Sequence, residues 1–218
     1  MSRRVILFLD GEEPNAVLVR RILAEETAAL VVATDGAAKY AMQHAIKLDV
    51  IVGDMDSLTQ DAADFYAAQG TQFVSVPEQY SNDFEKALRF VASTAGNTTR
   101  VYVFGIHGRR TDHVLTNFSV MQRFTDNFEE FIAYDETLVH RFLTTKNNTI
   151  NFSLPRSAIV SLTPLPVAEG VTTRGLLYPL EDATMVFGAN DGLSNRIEDE
   201  NGAGVVIRSG ALLVSHLF

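Results

Sequence analysis

The 218 residues carry a formal charge of −9, with 46% hydrophobic and 21% charged residues; this balance suits a folded globular chain, excludes a disordered one, and the length suits one medium and one small domain. An acidic surface without a Lys/Arg-rich stripe repels nucleic acid, although acidity concentrated on Mg²⁺ still admits a polyphosphate ligand. With no cysteine, disulfides, thiolate zinc sites and cysteine nucleophiles are excluded, and a reducing compartment is permitted.

The first apolar run, Val5 to Leu9, is ended by Asp10 after five residues, too few for a signal peptide, and no later run approaches the ~20 residues that span a bilayer. The expectation is a cytoplasmic protein without a membrane partner. Val5 to Leu9 reads as a strand and Pro14 to Glu26 as a helix with Val17, Leu18 and Ile22 inward. Leu30 to Ala33, Val50 to Val52, Phe73 to Val76 and Val101 to Phe104 are continuous apolar or β-branched runs, as expected of parallel strands covered on both faces.

Helices are predicted between them. Thr59 caps one that Gly70 ends. Asn82 with Glu85 has the form of a capping box opening another, with Phe84, Leu88 and Val91 inward. A third runs from about Thr111 to Arg123 with Val114, Phe118 and Met121 on one stripe. After about Tyr134 short β-rich runs, among them Thr149 to Phe152, Ala158 to Leu162, Thr184 to Phe187 and Ala211 to Val214, are punctuated by Pro and Gly. The reading is α/β: a doubly wound, mostly parallel sheet domain over residues 1–134, followed by a small antiparallel β-sandwich domain over 135–218.

Open parallel sheets bind ligands beyond the carboxyl ends of their strands. Polar residues gather at those places: Asp35 and Gly36 after the second strand, Gly53-Asp54-Met55-Asp56-Ser57 after the third, Asn82 and Asp83 after the fourth, and Gly105 to His113 after the fifth. Asp54 and Asp56, two apart in an extended segment, point to one side, and a divalent cation relieves their repulsion. Turn formation and helix capping account for each aspartate taken singly, and surface solvation for Arg109 and Arg110. The repeated placement at strand ends favours a Mg-assisted phosphate site.

Asp35-Gly36-Ala37-Ala38, Gly53-Asp54-Met55-Asp56-Ser57, Asn82-Asp83-Phe84-Glu85-Lys86 and Arg110-Thr111-Asp112-His113 together resemble the thiamine pyrophosphokinase family. Val171 to Leu180 and Gly192-Leu193-Ser194-Asn195-Arg196-Ile197 are similar to its later signatures. The chain departs from the family pattern at Ala37, Lys39, Tyr80, Asn82 and Arg109.

The resemblance implies transfer of a diphosphoryl group from ATP to thiamine, giving thiamine diphosphate and AMP, by a homodimer with thiamine near the subunit interface. On it, Asp54, Asp56 and Asp83 are expected to hold Mg²⁺, with Asp112 as a further member of the catalytic set. Arg110, helped by Arg109 and Lys86, balances charge on the transferring group. Asp35, Gly36, Ser57, Asn82, His113 and Asn117 are expected around the nucleotide, and Ser194 and Asn195 at the thiamine pyrimidine. The same metal site also suits another small alcohol, such as a hydroxymethyl pterin, and a non-catalytic Mg-nucleotide sensor.

Overall fold

The computed structural model describes residues 3–27, 29–96, 98–108 and 110–217. The chain packs as two compact units, Met1–Glu136 and Thr137–Phe218.

In the first unit strands alternate with helices: β1 (Arg3–Phe8), α1 (Ala16–Glu25), β2 (Leu30–Thr34), α2 (Ala38–Gln43), β3 (Val50–Gly53), α3 (Gln60–Ala68), β4 (Gln72–Ser75), α4 (Asp83–Ala95), β5 (Thr99–Phe104), α5 (Thr111–Phe124) and β6 (Glu130–Tyr134). The strands are all parallel in the order β4-β3-β2-β1-β5-β6. The chain steps outward from β1 to β4, then returns to the other side of β1. Right-handed crossovers in both directions place helices on both faces. Consecutive strand residues, Ile6, Leu7 and Phe8 or Ile51 and Val52, are accordingly buried whichever way they point.

Three local expectations are corrected. Helix α1 starts at Ala16, because the Asn15 side chain accepts from the backbone N–H of Val17 and Leu18; Val17 then faces solvent, and Leu18, Val19 and Ile22 form the buried stripe. β4 is an edge strand, so Phe73 is partly exposed instead of covered. The capping box of α4 is half formed: Asn82 Oδ1 accepts from Glu85 N at 3.0 Å, but the Glu85 carboxylate turns to Arg89 and Arg123, each at 2.6 Å.

The second unit is antiparallel. Its strands are β7 (Leu138–Thr144), β8 (Thr149–Asn151), β9 (Ile159–Arg174), β10 (Ala183–Val186), β11 (Gly192–Arg196), β12 (Gly204–Val206) and β13 (Ser209–Leu217). β13 lies between β7 and β9, and β10 and β11 also pair with β9. The last residues of β9, Thr172–Arg174, pair instead with β12, which pairs with β8. One long strand thus serves two sheets, a usual way to build a sandwich corner. Val160, Leu162, Val171, Ile197, Leu212 and Val214 fill its core with Ile150 and Val205. Among the described residues no helix is long and apolar enough to cross a membrane.

Candidate active site

Between β1 and β5 the strand order reverses, and the two loops that leave these strands cross there. Leu9 N donates to Phe104 O at 2.9 Å and Glu12 N to His107 O at 2.7 Å. A Cβ on Gly11 would fall 2.0 Å from the Gly105 carbonyl oxygen, so only glycine lets the backbones pass this closely. The crossing opens a cleft of about 300 Å³, lined by Asp10, Asp35, Ser57, Asn82, Asp83, Arg110, His113 and Asn117 among others. A second hollow of about 240 Å³ shares Asp10, Gly11, Gly36 and Ser57 with it and reaches Glu13, Lys39 and Tyr40.

The carboxylates gather on the floor. Asp35 is 1% exposed. Its Oδ1 accepts from Gly36 N at 2.8 Å and its Oδ2 from Met55 N at 2.9 Å. Burial, and then repulsion from Asp83 and Asp54, push its carboxyl above the ordinary aspartate value in spite of the two backbone donors. Asp54 goes the other way, held at about 2, mainly because its Oδ2 accepts from Lys86 Nζ at 3.0 Å; Gln79 Nε2 reaches the same oxygen, also at 3.0 Å.

The extended Asp54-Met55-Asp56 segment expected from spacing is not what forms. Met55 has φ +71°, a left-handed turn that few non-glycine residues adopt. The turn aims Met55 N at Asp35, and one oxygen each from Asp35, Asp54 and Asp56 come to lie within 4.8 Å of one another. Ser57 Oγ donates to Asp56 at 2.9 Å.

Asp83 meets this group through Lys86, whose Nζ sits 3.0 Å from both Asp83 Oδ1 and Asp54 Oδ2 with its side chain 2% exposed. Burial pulls this ammonium down, but hydrogen bonds and charges from Asp83 and Asp54 raise it overall. One ammonium among four carboxylates leaves negative charge in excess. An all-oxygen donor set with such an excess fits a hard divalent cation such as Mg²⁺.

Asp112 stands outside the three-oxygen cluster. It is exposed and forms a two-pronged pair with Arg110, at 3.1 and 2.5 Å. Arg110 lines the cleft, as does His113. Asn82 and Asn117 form a brace: Asn82 Nδ2 donates to Asn117 Oδ1 at 3.1 Å, and Asn117 Nδ2 to the Ile106 carbonyl at 3.0 Å. The start of α4, with Asp83 and Lys86, is thereby tied to α5 and the end of β5. Arg109 lies outside the described residues.

Two participants escaped the sequence reading. Asp10 ends β1 as Asp35 ends β2, and applying the strand-end rule to the first strand would have found it. Gln79 carries no such signal; it is one polar residue in a loop until the fold sets it on Asp54.

In the second unit Ser194 is exposed with φ +57°. Asn195 is 4% exposed and turned inward: its Oδ1 accepts from Tyr178 N at 3.0 Å and Arg196 N at 2.8 Å, and its Nδ2 donates to Tyr178 O at 2.7 Å.

Comparison with known proteins agrees with this layout. Residues 23–132 match the family model "Thiamin pyrophosphokinase, catalytic domain", and residues 147–212 match "Thiamin pyrophosphokinase, vitamin B1 binding domain". The chain is 29% identical over 164 residues to thiamine pyrophosphokinase 3 of Oryza sativa subsp. japonica, covering 71% of this chain and 60% of the relative. It is 30% identical over 168 residues to thiamine pyrophosphokinase 1 of Arabidopsis thaliana, covering 73% and 62%. The match thus spans about 60% of the first of these relatives. Among solved structures, thiamine pyrophosphokinase from Bacillus subtilis superposes with a TM-score of 0.82 at 17% identity, over 99% of each chain. The yeast thiamin pyrophosphokinase gives 0.80 at 15% identity, over 100% of this chain and 87% of the other; at such identities the likeness is one of fold. Motifs, fold and family models converge, and the chain belongs to the thiamin pyrophosphokinase family.

Proposed function

We propose that this protein is a thiamine diphosphokinase that transfers a diphosphoryl group from ATP to the hydroxyl of thiamine, giving thiamine diphosphate and AMP. The observation that carries the reading is the convergence of Asp35, Asp54 and Asp56 within 4.8 Å, with Lys86 fixed between Asp54 and Asp83, in a chain of this family. The first unit would hold ATP and do the chemistry. The second would bind thiamine, with the chain acting as a cytoplasmic homodimer.

Asp35, Asp54 and Asp56 would hold Mg²⁺, with Asp83 completing the acidic shell through Lys86. When bound, Mg²⁺ supplies charge neutralisation and alignment of the phosphates. Lys86 keeps Asp54 ionised and stationary. Arg110 and Asp112 are about two-thirds exposed, a pair weak enough for Arg110 to exchange its partner for a phosphate oxygen and balance charge as AMP departs. The thiamine oxygen bonds to the β-phosphorus, the bond from that phosphorus to the α–β bridging oxygen breaks, and AMP leaves with the bonding pair. The hydroxyl proton passes to a carboxylate of the cluster.

The test is incubation with Mg-ATP and a panel of small alcohols, followed by assay for AMP and diphosphorylated product. AMP is expected with thiamine. Turnover with a hydroxymethyl pterin and none with thiamine would sink the reading, as would ATP binding without turnover on any acceptor.

A further inference from the structure

Thiamine joins an aminopyrimidine to a positively charged thiazolium, so a fixed aromatic face in solvent is a natural complement to it. Among the described residues of the second unit two large aromatic rings stand exposed, Tyr178 at 66% and Phe187 at 59%. Their backbones are held differently. Phe187 N donates to the Pro166 carbonyl at 2.9 Å, beside a turn. Tyr178 is gripped at both its N–H and its carbonyl by the one amide of Asn195, at 3.0 and 2.7 Å.

Asn195 is itself well fixed. It is 4% exposed, and its Oδ1 also accepts from Arg196 N. A buried amide with its bonds made resists displacement, since any shift would leave a desolvated polar group unpaired. Leu177 N adds a bond to Arg196 O at 2.9 Å, and Leu176 bridges to Ile197. Leu177 and Leu193, both exposed, extend apolar surface on the two clamped segments. An aromatic ring on an immobilised backbone loses little freedom when a ligand settles on it.

We propose that Tyr178 is the aromatic contact for the cationic acceptor, and that Asn195 is a positioning residue acting through it, not itself a contact to the pyrimidine. The assignment rests on the diphosphokinase reading. It also follows that Tyr178→Phe, which keeps the ring, preserves the contact.

Steady-state kinetics with Mg-ATP and thiamine decide the matter, with circular dichroism confirming that each variant is folded. Tyr178→Ala is expected to raise the KM for thiamine roughly 3- to 30-fold and leave the KM for ATP unchanged. Tyr178→Phe should stay near wild type, and Phe187→Ala should match it. Asn195→Ala should move the thiamine KM in the same direction as Tyr178→Ala; the exposed Tyr178 variants decide the proposal even where loss of a buried amide prevents folding. A wild-type thiamine KM in Tyr178→Ala, or an equal rise in both KM values, overturns the assignment while leaving the activity standing. No AMP from the wild-type protein with thiamine overturns the diphosphokinase reading and the assignment with it.

Discussion

Gly53 has no room for a side chain, because a Cβ there would lie 2.6 Å from Asp35 Cγ and under 3 Å from both of its carboxylate oxygens. Asp35 cannot retreat, since it is 1% exposed and pinned by Gly36 N and Met55 N. Gly53→Ala should therefore shift the Met55 turn and part the three converging carboxylates. The expected cost is about 1–3 kcal/mol of stability, read by urea unfolding, together with weakened binding of Mn²⁺ measured directly by its paramagnetic signal. Wild-type Mn²⁺ affinity in a folded variant would show that the turn does not shape the cation site. At this scale the sequence was informative about identity and misleading about geometry. Asp54 and Asp56 stood out because they follow an apolar run, but their convergence comes from the left-handed Met55, and only the fold reveals what stabilises that conformation.

Helices α4 and α5 are joined by Glu85, whose carboxylate is reached by Arg123 from α5 and by Arg89 from its own helix. Arg123 above all, then Arg89, hold its carboxyl below the usual glutamate value despite burial. A carboxyl depressed in the folded state contributes stability in full above its unfolded value, near 4.3, and loses it as pH falls through the lower folded value. Glu85→Gln should thus be less stable than wild type by about 1–3 kcal/mol at pH 7, and the gap should close between about pH 4.5 and 3. Urea midpoints across that range check it; a gap independent of pH would mean that the pair contributes nothing through charge. The capping pattern located α4 in the sequence. It could not show that Glu85 would choose two arginines, one of them 38 residues away. Helix α2 was not legible, because six residues are too few to display a helical stripe. β9 was read short for a different reason: Pro164, Pro166 and Gly170 look like punctuation. In the fold the register with β13 shifts between Gly210 and Leu212, opposite Pro164 to Ala168, so Pro166 falls where the ladder is already irregular.

At the scale of the whole molecule, the parallel α/β class was legible because strands buried on both faces leave unbroken apolar runs, and the reversal of strand order at β1 follows from connection rules. The second unit was legible only as a class. Its shared strand β9 depends on pairings between residues far apart in sequence, which no local pattern encodes. The acidic balance of the chain, −9 overall, is consistent with a phosphate enzyme only because acidity at the strand ends is arranged to take up a cation. The central claim is that this arrangement moves two phosphates in one step. Phosphorus NMR of the protein turning over Mg-ATP and thiamine tests it most directly: thiamine diphosphate and AMP should grow in equal amounts from the first minutes. Accumulation of ADP with thiamine monophosphate would mean transfer of a single phosphoryl group and would contradict the account.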